Sequence, residues 1–203
     1  MRGLVTLAAL AALCIPVIAS GAAGDPSPDQ VRVELGYLHI VALTTDRGLI
    51  ESASSMEPTL RCAKPGPECT AAVADHLFVR KVPSKSLRRG AIIVLATPAL
   101  ARLRCGSGST LIKRIVGLPG DRVEERSGRV FVNGKALSEP YVAATYRDDR
   151  TIAPTRVPPG KLYVMGDNRS ASCDSRSWGT LSFANVLGRA IAIYWPSSRV
   201  RHL

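Results

Sequence analysis

Short runs of β-branched and aliphatic residues, each broken by polar or turn-forming residues, recur along most of this chain. VRVELGYLHIVAL at 31–43, HLFVRKV at 76–82, AIIVLA at 91–96, TLIKRIVGL at 110–118, RVFVNGKAL at 129–137, KLYVMG at 161–166 and GRAIAIYW at 188–195 have the length and composition of strands. Asn133-Gly134 fits a two-residue turn with positive φ at both positions, and Ser127-Gly128 marks a second hairpin just before it. The predicted fold class is mostly β. Residues 143–157, AATYRDDRTIAPTRV, are polar and irregular and predict a surface excursion, and no internal repeat is visible.

The first residues follow a different pattern. Residues 3–24, GLVTLAALAALCIPVIASGAAG, carry no ionisable side chain other than Cys14, and about 20 helical residues cross a hydrocarbon core. This predicts one N-terminal hydrophobic helix over 1–24, a membrane anchor or an uncleaved signal-like segment. Arg2 precedes it and Asp25 and Asp29 follow, so the positive-inside bias puts the N-terminus in the cytoplasm and the rest on the extracytoplasmic side of a single-pass protein. Ala19-Ser20-Gly21 and Ser20-Gly21-Ala22 have the small residues that leader removal needs, so a cleaved segment is the competing reading; the compartment is the same in both. DPSPDQ at 25–30 reads as a linker, which divides the chain into 1–24, a linker with the first strands over 25–50, and a main folded domain over 51–203. A total of 203 residues leaves room for one domain of ordinary size, hence one active site.

Charge and cysteine content narrow the function classes. A net charge of +11, from 27 Lys and Arg against 16 Asp and Glu, suits nucleic acid or anionic lipid headgroups. The basic residues are scattered and only 5% of residues are aromatic, so nucleic acid has little support and a solvated basic surface beside a lipid bilayer fits better. Cys62 and Cys69 bracket the loop AKPGPE and are candidates for a disulfide in an oxidising compartment. Cys105 and Cys173 form a second bridge only if the fold joins the segments before Lys113 and after Arg169. The cysteines lack CxxC spacing and the histidines are His39, His76 and His202, which argues against zinc; neither metal nor cofactor is expected.

Three segments carry candidate chemistry. In Ser55-Met56-Glu57-Pro58-Thr59-Leu60, Pro58 fixes its own φ and restricts Glu57, so the chain after Ser55 has few ways to bend and its hydroxyl is presented reproducibly. An ordinary serine-rich loop through Ser52, Ser54 and Ser55 is the alternative. A serine nucleophile needs a base, and histidine is poorly supported, because His39 and His76 fall inside predicted strands and His202 is at the C-terminus. Lys113 stands among Leu111, Ile112, Ile115 and Val116. To act as a base its pKa must fall from about 10.4 towards neutrality, a change of roughly 4–5 kcal/mol whose sign burial supplies; a solvated strand lysine is the plain alternative. The third segment, GDNRSASCDSRSWG at 166–179, is dense in small polar and charged groups. Asp167, Asn168 and Asp174 are oxygen ligands, but Arg169 and Arg176 oppose a buried cation, and carboxylate–guanidinium pairing is the more economical reading.

In order along the chain, SSMEPTL at 54–60, IKRIVGLPGD at 112–121 and GDNRxxSxDSRxWG at 166–179 resemble the three main sequence boxes of bacterial type I signal peptidases, the leader peptidases with a serine/lysine dyad. The resemblance runs from about Glu51 to Ser198, and WPSSR at 195–199 resembles the end of that family's catalytic domain. It implies a catalytic domain of antiparallel β-sheets, with Ser55 as nucleophile and Lys113 as general base. Ser172 is then expected to hydrogen-bond and orient the lysine amine, Asp174 and Arg176 to form a supporting ion pair, and Asp167 to pair with Arg114. The backbone N–H of Ser55 is the expected oxyanion donor. Some members use a serine hydroxyl two positions before the nucleophile, where this chain has Ala53, so the second donor stays open among Ser52, Ser54 and a backbone amide. Met56 and apolar residues near Lys113 are candidates for substrate pockets. Departures are Gly90-Ala91 in place of Gly-Asp, a stretch from Asp121 to Gly166 too short for the extra domain of some members, and a longer spacer between residue 25 and Ser55.

By the same resemblance the activity is removal of signal peptides from exported preproteins, cut after Ala-x-Ala type sites, with the lipid bilayer as the other partner. Three other readings compete with it. A self-cleaving repressor-type protease requires a DNA-binding helical domain where this chain has a hydrophobic segment. A catalytically silent scaffold or secreted binding protein is marked by loss of Ser55 or Lys113, and both are present. A peptidase dedicated to a narrow set of exported clients shares every one of these residues with a general one.

Overall fold

The computed structural model describes residues 32–35 and 38–41 by their backbone, and 54–61, 74–107 and 109–203 in full. The hydrophobic segment 3–24 and the Cys62/Cys69 pair lie outside the described residues, as does Ala53. Among the described residues no helix is long and apolar enough to cross a membrane.

Two antiparallel sheets make up the fold. The large one contains β1 (Arg32–Leu35), β2 (Leu38–Val41), β3 (His76–Arg80), β4 (Ile92–Ala96), β5 (Thr110–Gly117), β10 (Lys161–Met165), β11 (Leu181–Ser182), β12 (Val186–Trp195) and β13 (Arg201–His202). Its order is β1-β2-β3-β12-β4-β5-β10-β11, with β13 paired to β12. The small sheet has the order β8-β7-β6-β9, from β6 (Arg122–Arg126), β7 (Arg129–Val132), β8 (Lys135–Ala136) and β9 (Ile152–Arg156). Two short helices, α1 (Ala99–Cys105) and α2 (Ser175–Trp178), complete it. The mostly-β expectation holds. Both predicted hairpin turns have the expected backbone: φ is +45° at Ser127 and +72° at Gly128, and +53° at Asn133 and +79° at Gly134.

Three apolar clusters hold the layers together. One gathers Ile93, Leu95, Leu111, Ile115, Val164 and Leu181 beneath the helices. A second, under residues 54–60, joins Met56 and Leu60 to Leu77, Val79, Ile112 and Ile193. The third, from Val116, Val123, Val130, Val157 and Tyr163, seats the small sheet against the large one.

Two departures from the predicted pattern have physical reasons. Residues 143–157 are not all surface excursion, because Ile152–Arg156 pairs with β6 as an edge strand. Pro154, which lacks an N–H, is tolerated at an edge, and only Ile152 in that strand is a large apolar residue, so no alternation announces it. β6 itself reads RVEER and buries Glu125 on the same face as Val123, a charge where alternation calls for an apolar residue.

That charge belongs to an ionic layer between the small sheet and residues 166–178. Arg169 is fully buried and its guanidinium pairs with both oxygens of Glu139, while its Nε donates to the Gly166 carbonyl at 2.9 Å. Arg176 donates to Asp148 at 2.7 Å and lies 3.6 Å from Glu125. Removing one partner of such a pair leaves an uncompensated buried charge. Glu139→Ala is therefore expected to lower the unfolding free energy in urea by about 3–5 kcal/mol, and Glu139→Leu/Arg169→Met to recover most of that loss. Arg88→Ala, at the surface, serves as the near-neutral control.

Candidate active site

Residues 54–60 form a tight turn whose apolar side chains point inward. The Glu57 N–H donates to the Ser54 carbonyl at 3.0 Å and the Leu60 N–H to the Met56 carbonyl at 2.9 Å, and the Glu57–Pro58 peptide is cis. Met56 is 2% exposed and packed in the second apolar cluster. It anchors the turn from the apolar cluster beneath it, a core position where the sequence offered it as a candidate pocket residue. Polar ties finish the positioning. The Thr59 hydroxyl donates to Asp167 at 2.5 Å, the Thr59 carbonyl accepts from Arg201 at 2.6 Å and Arg199 at 3.3 Å, and the Ser55 carbonyl accepts the Asn168 N–H at 3.0 Å. Arg199 in turn is held by the buried carboxylate of Asp75 at 2.6 and 2.7 Å.

Lys113 lies in the middle of β5, opposite Ile93 of β4. Strand alternation gives it the face of Leu111 and Ile115, both in the first apolar cluster, so its stem runs among hydrocarbon. The side chain is fully buried, and Nζ donates to Ser55 Oγ at 2.6 Å and to the Ile112 carbonyl at 3.0 Å. Burial lowers the amine's pKa from 10.5 to about 8; Asp174 and then Asp167 work against that shift, and Arg176 adds to it. Ser55 is buried as well.

β10 pairs Met165 with Arg114, so the chain leaves the strand at Gly166 just beside Lys113. A Cβ at Gly166 would stand 2.3 Å from Ser172 Oγ and 2.3 Å from the Ser55 carbonyl oxygen. Only glycine lets these three pieces close. Both expected ion pairs form. Arg114 grips Asp167 through two bonds of 2.8 and 2.6 Å, donates to the Gly90 carbonyl at 2.7 Å and stacks 4.0 Å from the Tyr141 ring centroid. Arg176 grips Asp174 through two bonds of 2.9 Å. Burial pushes the Asp174 carboxyl up, but Arg176, the Gly166 N–H and the nearby Ser172 hydroxyl outweigh it and hold the group below the usual carboxylate range. Ser172 is buried beside Gly166 and Asp174, and its hydroxyl makes no well-formed bond to the Lys113 amine.

Sequence reading missed Thr59, Asp75, Glu139, Asp148, Arg199 and Arg201, which brace the turn and the 166–178 loop. Thr59 lies within SSMEPTL and Arg199 within WPSSR, but neither segment discloses its partner. Of the histidines, His76 stacks edge-on against Tyr194 at 5.6 Å and His202 ends β13. Cys105 and Cys173 are disulfide-bonded.

The model of the family described as "Signal peptidase, peptidase S26" matches residues 37–195. This chain belongs to that family. A probable signal peptidase I of Synechocystis sp. is 36% identical over 187 residues, covering 87% of this chain and 79% of the relative. A signal peptidase I of Leptolyngbya laminosa is 34% identical over 196 residues, covering 91% and 90%. The crystal structure of a signal peptidase I from Enterococcus faecalis V583 is 34% identical, with a TM-score of 0.43 over 51% of this chain and 96% of that one. Within the peptidase family, the segments carrying Ser55, Lys113 and residues 166–179 all fall inside the matched span.

Two predictions follow from burial of the amine and from the close approach at Gly166. Because the folded pKa of Lys113 lies below the unfolded one, the unfolded chain binds the extra proton between pH 8 and 10.5, and stability rises with pH through that window. Lys113→Met is thus expected to raise the unfolding free energy at pH 7 by on the order of 3 kcal/mol, a gain that shrinks as pH approaches 10.5 in parallel denaturation series. Gly166→Ala is expected to displace the Ser55 turn and to lower any peptidase activity by about 10²-fold or more in a steady-state assay.

Proposed function

We propose that the chain is a membrane-associated serine endopeptidase that removes signal peptides from exported preproteins, cutting after small residues with Ser55 as nucleophile and Lys113 as general base. The observation that carries this reading is the 2.6 Å contact between Lys113 Nζ and Ser55 Oγ, made by a fully buried amine whose pKa is lowered to about 8. Family membership supports the substrate class.

The neutral amine takes the Ser55 proton as Oγ attacks the scissile carbonyl, and the resulting ammonium protonates the leaving amine. The acyl-enzyme is then hydrolysed by a water that the same amine deprotonates. The developing oxyanion is stabilised by the backbone N–H of Ser55. Asp167 with Arg114, and Asp174 with Arg176, hold the surrounding loop, and Ser172 orients the amine once it turns towards Nζ. A preprotein segment of the Ala-x-Ala type binds as an extended strand, its small side chains in shallow apolar pockets. Residues 3–24 anchor the chain in the cell membrane as a single span, and the catalytic domain over 51–203, to which β1 and β2 add their edge, works on the extracytoplasmic side.

Cleavage of a synthetic Ala-x-Ala preprotein peptide by the detergent-solubilised chain tests this. The intact protein cuts after the second alanine, and Ser55→Ala and Lys113→Met each lose about 10³-fold or more in kcat. The rate requires the unprotonated amine, so kcat climbs with pH through about 8 and levels off above it. Cutting that survives Lys113→Met rules out this base, and an inert intact protein favours a narrow-client peptidase or a silent scaffold.

A further inference from the structure

Cys105 ends α1, between β4 and the Lys113 strand, and Cys173 sits between Ser172 and Asp174 in the loop beside the amine. Their Cα atoms are 6.2 Å apart and the bond joins segments separated by 68 residues. On both sides of Cys173 the loop is fastened by hydrogen bonds. Asn168 accepts from the Ser170 hydroxyl at 3.0 Å and the Ala171 N–H at 3.1 Å, and Asp174 accepts from the Gly166 N–H at 3.1 Å and from Arg176. Among the described residues Ser172 and Cys173 make no backbone–backbone hydrogen bond, and the Ser172 hydroxyl bears only on Asp174, two residues along the same loop. The disulfide is therefore the tie that fastens these two residues to a segment outside the loop. Its far end is rigid. Cys105 is packed in the first apolar cluster with Ala101, Leu111 and Trp178, and the adjacent Arg104 guanidinium donates to the Ser177 carbonyl of α2.

We propose that the Cys105–Cys173 disulfide is a positioning element for the cleavage reaction, holding residues 172–173 in place beside Gly166 and the Ser55 carbonyl and keeping water out of the surroundings of the Lys113 amine. This rests on the Ser55/Lys113 reading. The groups that bear on the amine are the Ser55 hydroxyl, the Ile112 carbonyl, Asp174, Asp167 and Arg176. Without the tie, residues 172–173 regain conformational freedom and water reaches Nζ. Desolvation, which lowers the amine's pKa, then weakens, while the two carboxylates that raise it keep their own arginine anchors. The base titrates higher and fewer molecules hold it neutral at physiological pH.

The test is the pH–rate profile of Cys105→Ala/Cys173→Ala on the Ala-x-Ala peptide, beside the intact protein, Ser55→Ala and Lys113→Met. The expected result is an apparent pKa about one unit higher, so that kcat at pH 7 falls about tenfold and returns to the intact level at high pH. A lower Tm with an unshifted profile overturns the proposal and leaves the bond a structural staple. Should the double variant fail to fold, the bond is reduced in folded Cys62→Ala/Cys69→Ala protein. A dithiol reductant supplies two electrons and two protons, giving two thiols and its own cyclic disulfide; the same shift, reversed on reoxidation, is expected, and an unmoved profile again overturns the proposal. Failure of the dyad reading looks different: Lys113→Met stays active, or the intact protein's rate does not titrate near pH 8.

Discussion

The rest of the site is arranged around one buried amine: Lys113 is kept dry, the condition a lysine must meet to serve as the base proposed for it. Aliphatic neighbours on β4, β5 and β10 strip water from the side chain and lower its pKa. The same site needs carboxylates to fasten the loop after β10, and each carboxylate near the amine pulls its pKa back up. The structure resolves the conflict with arginine. Asp167 is gripped by Arg114 and Asp174 by Arg176, each through two hydrogen bonds, so the loop is fastened while much of the negative field is spent inside the pairs.

Those pairs are costly to bury, and the ionic layer behind them shows how the cost is distributed. Arg176 serves Asp174 and Asp148 and lies close to Glu125, while Arg169 turns to Glu139 and to the Gly166 carbonyl. The small sheet and the segment after it thus brace the loop, which in turn abuts the Ser55 turn at Gly166. From the opposite side Arg199 and Arg201 hold the Thr59 carbonyl, so the turn carrying Ser55 is clamped between the 166–178 loop and the C-terminal residues. Segments far apart in sequence converge on one hydroxyl.

Much of this was legible in the chain itself. Strands with β-branched alternation, the Ser-Gly and Asn-Gly turns, the Ser55 turn and the lysine in an apolar strand all follow from local patterns. The Asp167–Arg114 and Asp174–Arg176 pairings were reached only through family resemblance. What escaped was set by tertiary contact. Glu125 occupies an inward position of β6, 3.6 Å from Arg176, and nothing in RVEER discloses it. Met56 looks like a pocket residue by its neighbourhood to Ser55, yet a methionine beside a tight turn fills the core beneath it. The Cys105–Cys173 bridge, by contrast, was open in the sequence on the condition that the fold join its two segments, and the docking of α1 beside α2 does so.

The central claim is that Lys113 is a neutral amine at mildly alkaline pH, and its own titration tests this most directly. Protein labelled with ε-¹³C lysine, with the Lys113 resonance assigned by its absence in Lys113→Met, reports that titration without reference to turnover. A Lys113 signal that titrates near pH 8 is the predicted result, and one that titrates at the ordinary amine value of 10.5 contradicts the account.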